Sequence, residues 1–341
     1  MLKRPRKVGS PRSPPSGTLE EVTEAGLHEW IAKTLPAGRM GLLPLGDDCA
    51  AIPTGGRNVH LLTTDAVMEE THFPATADPR AVGRFAANVN FSDLAAKGGR
   101  PVALLGALLL PPDTPARWAQ QVILGLEEAS RLVGTHLLGG DSKRSERRGI
   151  VPIAVGEANA NNLMPISGAF PGDLIATTGT TGRGSSAYLA WKEGSLTEKD
   201  AMGVVLGVRP RLREGLALAP TATATTDTSD GLLAAARHLC EASGVSVHLR
   251  EDWVPYDPLA VKVAKALRLP VEEVSFLGGD YELLTCFPRS SFDATLKNVV
   301  RAGGRVCVIG SVHEKGPSFF EDKEGNTRPF PKVGWDSFAR S

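Results

Sequence analysis

NFSDLAAKG, at residues 90–98, closes a long helical pattern that begins at residue 78. An apolar segment typical of a buried strand follows at residues 102–110. A related segment, DTSDGLL at residues 227–233, precedes a second helical pattern in the other half of the chain. Strand and helix patterns that alternate in this way predict a fold of the α/β or α+β class.

The alternation continues through both halves of the chain. In the first half, helices are predicted at residues 18–35, 78–96 and 114–133, strands at 59–63, 102–110 and 150–155, and a loop at 138–148. In the second half, strands are predicted at 174–178, 245–249, 283–287 and 306–309, and helices at 185–191, 231–241, 258–267 and 290–301. Gly, Pro and Asn cluster at residues 159–171, which predicts a domain boundary there.

Three segments follow from this boundary: an arm at residues 1–17, an N-terminal domain at 18–160 and a C-terminal domain at 161–341. The arm has five basic residues, four prolines and no acidic residue. This composition is typical of a disordered, solvated tail, and a weak anion-binding arm is the alternative.

Composition limits the possible functions. The 341 residues are 42% hydrophobic and 22% charged, which excludes wholesale disorder. Basic and acidic residues balance at 38 each, so no overall charge favours nucleic acid or a membrane surface as a partner. There is no run of about 18 apolar residues and no secretory signal pattern. Four widely spaced cysteines without a C-x-x-C motif are typical of reduced thiols, and we expect a cytoplasmic protein.

Six short segments combine aspartate with Gly, Ser or Thr at the ends of predicted elements. They are Gly46-Asp47-Asp48, Thr63-Thr64-Asp65, Asn90 to Asp93, Gly139-Gly140-Asp141, Asp227 to Asp230, and Gly278-Gly279-Asp280. Carboxylate oxygens suit Mg²⁺, and small neighbours let backbone amides approach a phosphate. Ser92 and Ser229 are expected at helix starts, where N–H groups and the helix dipole favour phosphate.

Each segment taken alone has a simpler interpretation. A single Asp or Ser before a helix is typical of an N-cap, and a single Gly-Gly-Asp is typical of a turn. Six together favour metal and phosphate chemistry, although the residues alone leave both interpretations open. The P-loop and protein-kinase motifs are absent. Residues 179–186 predict a tight strand-to-helix connection, with a nucleotide contact as the alternative.

The motifs occur in a characteristic order. To the six aspartate segments the sequence adds His72-Phe73, Arg209-Pro210-Arg211, Tyr281-Glu282-Leu283 and the terminal Trp335 and Phe338. Together they resemble the thiamine-monophosphate kinase family, which is related to aminoimidazole ribonucleotide synthetase and selenophosphate synthetase. The resemblance spans residues 18–338.

The resemblance implies a two-domain synthetase-type fold and a homodimer. The N-terminal half would bind ATP and Mg²⁺ and form a β-barrel interface between subunits, and the C-terminal α/β half would pack on it. The partners implied are ATP and thiamine monophosphate, with direct transfer of the γ-phosphoryl group. Nucleic acid and membrane are not expected as partners.

The resemblance also assigns roles to individual residues. The implied metal ligands are Asp48, Thr63, Thr64, Asp65, Asp93, Asp141, Asp227 and Asp230. Among these, Asp65, Asp93 and Asp230 are the implied catalytic residues. Gly140, Asp141 and Ser229 would contact ATP, and His72, Trp335 and Asp280 would contact the thiamine phosphate. Without the resemblance, His72 is typical of a hydrogen-bonded surface histidine and Trp335 of core packing; an aromatic face suits a cationic ring.

Two positions depart from the family pattern. One acidic residue is missing before Asp280, where Asp280 or Glu282 could compensate. Ile166 stands where an ATP-contacting Arg is usual, and Arg144 or Arg183 could substitute. The alternatives are therefore another ATP-dependent enzyme of the same superfamily with a different acceptor, or a non-catalytic nucleotide-binding module. Cys49, beside Asp48, is interpreted as a packing residue, with a nucleophile as the alternative.

Overall fold

The computed structural model describes residues 18–35, 41–331 and 334. The first half of the chain forms a mixed six-stranded sheet with helices against one face. Its elements are α1 (Leu19–Thr34), β1 (Ala50–Pro53), β2 (Asn58–Thr64), β3 (Val67–Met68), α2 (Pro79–Ala96), β4 (Arg100–Leu110), α3 (Ala116–Leu132), β5 (Leu137–Arg144) and β6 (Gly149–Asn159). The strand order is β1-β2-β6-β4-β5, with β3 paired to β6. Only the β4–β5 pair is parallel among these described strands.

The second half forms a seven-stranded sheet with the order β13-β12-β9-β11-β7-β10-β8. Its elements are β7 (Asp173–Thr178), α4 (Arg183–Lys192), α5 (Glu198–Val205), α6 (Leu212–Leu218), β8 (Ala224–Asp227), α7 (Leu232–Ser243), β9 (Ser246–Arg250), α8 (Pro258–Leu267), α9 (Val271–Ser275), β10 (Leu283–Pro288), α10 (Phe292–Arg301), β11 (Val306–His313), β12 (Phe319–Glu321) and β13 (Thr327–Pro329). The chain is thus a mixed α/β protein with two sheets, as the sequence predicts.

Helix α2 lies at the centre of the molecule. Asp78 caps it by accepting hydrogen bonds from the amides of Arg80 and Ala81, and Pro79 occupies its first turn as predicted. Most of its later residues are buried, because the helix contacts the first sheet, α3, α6 and β8. It therefore carries residues of the first half to the edge of the second.

Helices α2 and α3 approach each other backbone to backbone. A Cβ atom on Gly83 would lie 2.1 Å from the Val122 carbonyl oxygen, and one on Gly125 would lie 2.2 Å from the Arg80 carbonyl oxygen. Only glycine fits at these two crossing points. Their contact sets the position of α2 on the sheet.

The predicted helices and strands are confirmed, apart from differences at their ends and two corrections. The predicted loop at residues 138–148 is wrong, because residues 137–144 form strand β5. Its two glycines and polar side chains give no strand pattern in the sequence. The segment forms a strand by pairing in parallel with β4. The apolar periodicity does not predict eight short elements, which are β1, β3, β8, β12, β13, α5, α6 and α9.

The second correction concerns Ser92. It was predicted at a helix start, yet it lies deep within α2 and is buried. Ser92 therefore has no free helix N-terminus beside it that could bind a phosphate. Ser229 lies close to the start of α7, just before its N-cap Gly231.

No helix within the described ranges has both the length and the apolar character needed to cross a membrane.

Candidate active site

Asp93 forms the floor of an acidic cluster where the two halves meet. It lies on α2, is 9% exposed, and accepts a hydrogen bond of 2.5 Å from the Thr63 hydroxyl at the end of β2. Burial raises the pKa of Asp93 well above its usual value, and the nearby charges of Asp65, Asp227 and Asp48 raise it further. The Thr63 hydrogen bond thus fixes the position of the Asp93 side chain. The surroundings of that side chain disfavour its charged form.

Asp227 brings the second half into the same floor. It ends β8 and accepts hydrogen bonds from the hydroxyls of Ser92, at 2.6 Å, and Ser229, at 2.7 Å. Burial raises its pKa to about 7, and Asp48 adds to the rise. Ser92 thus joins α2 to β8 across the two halves of the molecule.

Asp65 and Asp230 lie at the exposed rim of the cluster. The backbone amide of Asp65 donates to the Asn90 side chain at 3.0 Å, so α2 also sets the end of β2. The hydroxyl of Thr64 donates to the Pro152 carbonyl at 2.8 Å and contributes to strand pairing.

Backbone contacts between glycine-rich loops determine where Asp230 lies. The amide of Gly279 donates to the Ser229 carbonyl at 2.7 Å. Gly278 has a φ of 102°, and a Cβ there would lie 2.5 Å from the same carbonyl oxygen. These contacts tie the Asp227–Gly231 loop to the loop before β10.

Asp47 and Asp48 approach the cluster from the turn before β1, with Lys97 behind them. The Lys97 ammonium nitrogen lies 2.5 Å from Asp47 Oδ1 and 2.9 Å from Asp48 Oδ2. The Thr226 hydroxyl donates to Asp48 Oδ1 at 2.8 Å. Burial alone would lower the pKa of Lys97, but Asp48 and Asp47 outweigh it and raise that pKa, so the ammonium stays charged.

Tyr281 is a residue of the cluster to which the sequence analysis assigned no role. Its φ of 52° is unusual for a residue with a side chain. Its ring meets Phe85 of α2 edge to face at 5.9 Å. Burial raises the pKa of its hydroxyl well above the usual value, and four of the aspartates add to the rise. The available signal was its position directly after Gly278-Gly279-Asp280.

The donor set fits a hard divalent cation. Five aspartates from four segments converge: Asp48, Asp65 and Asp227 act electrostatically on Asp93, and Asp230 acts with three of them on Tyr281. Asp93 and Asp227 make no ion pair in the described part of the chain. Among the described residues, no three His, Cys, Asp or Glu side chains form a ready-made metal site. A cation here would therefore take one or two carboxylates and complete its shell with water or phosphate oxygens, as Mg²⁺ does.

Comparison with known proteins gives the family. Residues 46–158 match the model of the AIR synthase related protein N-terminal domain, and residues 171–323 match that of the C-terminal domain. The thiamine-monophosphate kinase of Aquifex aeolicus is 31% identical over 94% of this chain and 99% of its own length. The chain belongs to the thiamine-monophosphate kinase family.

One further relative and one solved structure agree with this assignment. The thiamine-monophosphate kinase of Synechococcus elongatus is 32% identical over 87% of this chain and 91% of its own length. The structure of AaThiL complexed with AMPPCP and TMP superimposes with a TM-score of 0.81 at 29% identity, covering 94% of this chain and 99% of that chain. The predicted membership of the thiamine-monophosphate kinase family is confirmed.

Asp141 and Gly140 lie apart from the rest of the predicted family site. Strand β5, which carries them, is separated from β2 by β6 and β4, about 14 Å at the usual strand spacing. The Asp141 side chain is 59% exposed and pairs with Lys143 at 3.1 Å. A Cβ on Gly140 would lie 2.0 Å from the Gly106 carbonyl oxygen, so strand packing explains this glycine.

The predicted substrate residues of this family member have internal partners. His72 Nδ1 accepts a hydrogen bond from the Met68 amide at 3.1 Å, which leaves the ring proton on Nε2. The Asp280 carboxylate accepts hydrogen bonds from the amides of Gly182, at 2.6 Å, and Gly184, at 3.0 Å. These amides lie at the start of α4, in residues 179–186, for which a nucleotide contact is the alternative interpretation. Asp280 already accepts their hydrogen bonds. Trp335 lies outside the described residues.

The two departures from the family pattern have structural counterparts. Ile166 is buried, and its amide donates to Asp47 Oδ2 at 3.0 Å. Glu282 is also buried, where it pairs with Arg211 and accepts a hydrogen bond of 2.6 Å from the Thr178 hydroxyl. Glu282 therefore has two partners inside the protein, Arg211 and Thr178.

Cys49 is 3% exposed within the first core. Burial raises the pKa of its thiol well above the usual value, and this supports packing over nucleophilic attack.

Proposed function

We propose that the chain transfers the γ-phosphoryl group of ATP to thiamine monophosphate and so forms thiamine diphosphate. The observation that carries the proposal is the convergence of Asp48, Asp65, Asp93, Asp227 and Asp230 in a member of the thiamine-monophosphate kinase family. Relatives are named for this activity, and one similar structure is complexed with AMPPCP and TMP.

Mg²⁺ is the cation proposed for the cluster. The candidate ligands are the five converging aspartates with Thr63 and Thr64, and any one ion would take one or two of these carboxylates. Asp141 is retained as a candidate from the family pattern. When bound, Mg²⁺ would neutralise the charge that spreads over a transferring phosphoryl group. The chain's own contribution is rigidity: Thr63, Ser92 and Ser229 hold Asp93 and Asp227 by hydrogen bonds before any ligand enters.

The acceptor requires little acid–base help from the protein. Its attacking phosphate oxygen is already anionic near neutral pH, so Asp65, Asp93 and Asp230 would act through position and charge. Gly140, Asp141 and Ser229 are proposed to contact ATP, and His72, Trp335 and Asp280 are proposed to contact the thiamine phosphate.

A homodimer is proposed from the open sheet of the first half. Its face opposite α2 exposes Leu105 and Ile153, which lie next to each other on β4 and β6. Leu138 on the edge strand β5 is 66% exposed. A second copy that covers this face would bury these side chains and complete the barrel that the family resemblance implies.

A cytoplasmic location is proposed as well, because the four cysteines are unpaired thiols.

The decisive experiment is an assay of the purified chain with ATP, Mg²⁺ and thiamine monophosphate, read out as thiamine diphosphate by chromatography. Product that requires both ATP and Mg²⁺ supports the proposal. Acceptor-dependent ATP turnover without this product would favour another acceptor, to which the buried Ile166 and the missing acid before Asp280 point. No turnover with any acceptor would favour a nucleotide-binding module.

A further inference from the structure

Lys97 is a fully buried lysine at the end of α2. Its ammonium nitrogen contacts Asp47 Oδ1 at 2.5 Å, Asp48 Oδ2 at 2.9 Å and the Thr225 carbonyl oxygen at 2.6 Å. An ammonium has three N–H groups, and three acceptors surround this one. Lys97 therefore joins α2, the turn before β1 and strand β8 at one point.

Asp47 does not depend on Lys97 alone. Its side chain is fully buried, and it accepts hydrogen bonds from the amides of Ile166, at 3.0 Å, and Asp48, at 2.9 Å. Burial raises the pKa of Asp47 above its usual value, while Lys97 and the Ile166 amide act in the opposite direction and favour its charged form. Asp47 therefore does not neutralise Lys97 completely, and part of the lysine charge offsets the charge of Asp48.

Asp48 transmits the effect of Lys97 to the rest of the cluster. Thr226 fixes one carboxylate oxygen and Lys97 lies against the other. The charge of Asp48 reaches Asp93 and Asp227, since it contributes to the raised pKa of both. Any positive charge held against Asp48 therefore reduces the negative charge that the cluster presents to a cation.

We propose that Lys97 is a built-in cation of the aspartate cluster, a positioning residue that holds Asp48 and sets how strongly this end of the site binds a divalent cation. Asp47 tunes the effect, because it shares the lysine charge with Asp48. The proposal rests on the metal-binding role proposed for Asp48.

Two variants separate charge from structure. Asp47→Asn leaves the whole lysine charge on Asp48. The double variant, Asp47→Asn with Lys97→Met, removes the lysine charge and the second carboxylate that shares it, so that Asp48 has no ion-pair partner. Positions 47, 48 and 97 then carry the same net charge as in the wild type. The probe is Mn²⁺ alone, titrated into nucleotide-free protein and followed by the electron paramagnetic resonance signal of unbound Mn²⁺.

We expect Asp47→Asn to weaken Mn²⁺ binding about tenfold, the effect of one unit charge a few ångströms away in a partly buried site. The double variant is expected to bind at least as tightly as the wild type. Kinetically, the Mg²⁺ concentration for half-maximal activity should rise in Asp47→Asn, and it should return to or below the wild-type value in the double variant.

A purely structural role predicts a different pattern. Both variants would then have lower melting temperatures, and their folded fractions would bind Mn²⁺ like the wild type or change in the same direction; either result would overturn the proposal. Lys323→Met is the control for loss of a lysine charge, because Lys323 is 75% exposed and lies on the far edge of the second half. It should leave Mn²⁺ binding unchanged.

The experiment also separates this proposal from the proposed function. If the double variant does not fold, Asp47→Asn still decides, since unchanged Mn²⁺ affinity in that variant contradicts a charge role for Lys97. If the wild type makes no thiamine diphosphate but the Mn²⁺ pattern appears, the proposed function fails and the role of Lys97 stands. Conversely, if the wild type forms thiamine diphosphate but all variants bind Mn²⁺ equally, the proposed function stands and the role of Lys97 fails.

Discussion

Each buried carboxylate of the cluster is held by hydroxyl groups. Thr63 donates to Asp93, Ser92 and Ser229 donate to Asp227, and Thr226 donates to Asp48. A hydroxyl orients a carboxylate without neutralising it. At the scale of single residues, the site is therefore rigid and still negative, which suits a cation that arrives with its substrate.

Asp93→Asn is expected to reduce kcat/KM for thiamine diphosphate formation at least a hundredfold, because an amide is a poor ligand for a cation and carries no charge. The variant should fold, since Asn fits the same volume and can still accept the Thr63 hydrogen bond. Loss of a repelled buried charge should also raise the melting temperature without metal. Activity within tenfold of the wild type would contradict the metal role of Asp93.

Asp280 makes stability depend on pH. Burial raises its pKa to about 7, against the opposing effect of the Gly182 and Gly184 amides. Because the folded-state pKa lies above the unfolded one, its contribution to stability is present below about pH 4 and is lost as the pH rises through about 7. Each pKa unit corresponds to about 1.4 kcal/mol, so the loss amounts to a few kcal/mol.

Asp280→Asn should therefore be less stable than the wild type at pH 5, where it loses one good hydrogen bond, and the gap should narrow or reverse by pH 8. Urea unfolding in metal-free buffer at several pH values measures this difference. Parallel stability profiles for the two proteins would show that Asp280 does not titrate as described.

At the scale of elements, the crossing of α2 and α3 fixes the site, because α2 carries Asn90, Ser92 and Asp93 and has Lys97 as its C-cap. Glycines at the crossing let the two backbones touch. A small change there displaces four site residues together.

Gly83→Ala is expected to lower the free energy of unfolding by about 3 kcal/mol, because the new methyl group would lie 2.1 Å from a backbone oxygen that cannot move alone. Gly203→Ala in α5 is the matched control. Nothing lies within 4 Å of its Cβ position, so helix propensity should raise stability by about 0.5–1 kcal/mol. Urea unfolding of both variants tests the prediction, and similar changes in the two would contradict it.

At the scale of the whole molecule, the first sheet leaves one apolar face uncovered. Leu105 and Ile153 are 37% and 40% exposed on neighbouring strands. Large apolar side chains grouped on one sheet face are typical of an interface.

Ile153→Asp is expected to convert the proposed homodimer to a monomer, because a dimer would bury the new charge without a partner. Light scattering after size exclusion should give twice the mass of one chain for the wild type and one chain mass for the variant. Leu132→Lys is the control, since Leu132 is 80% exposed at the end of α3 and lies away from this face. A wild type that is monomeric at assay concentrations would contradict the proposed dimer.

The sequence by itself determined the alternation of helices and strands, because the periodicity of apolar residues is a local property. It also identified the aspartate segments, since their Gly, Ser and Thr neighbours stand beside them in the chain. It did not reveal β5, whose glycines and polar residues become a strand only when β4 lies alongside.

Only the tertiary structure decided which groups meet. Ser92 and Asp227 are 135 positions apart, and Lys97 meets the carbonyl of Thr225 across 128. Such contacts depend on how α2 packs between the two sheets, and no local pattern encodes that packing. For the same reason a lysine that looks like any other in the sequence becomes, once buried between Asp47 and Asp48, part of the charge balance of the site.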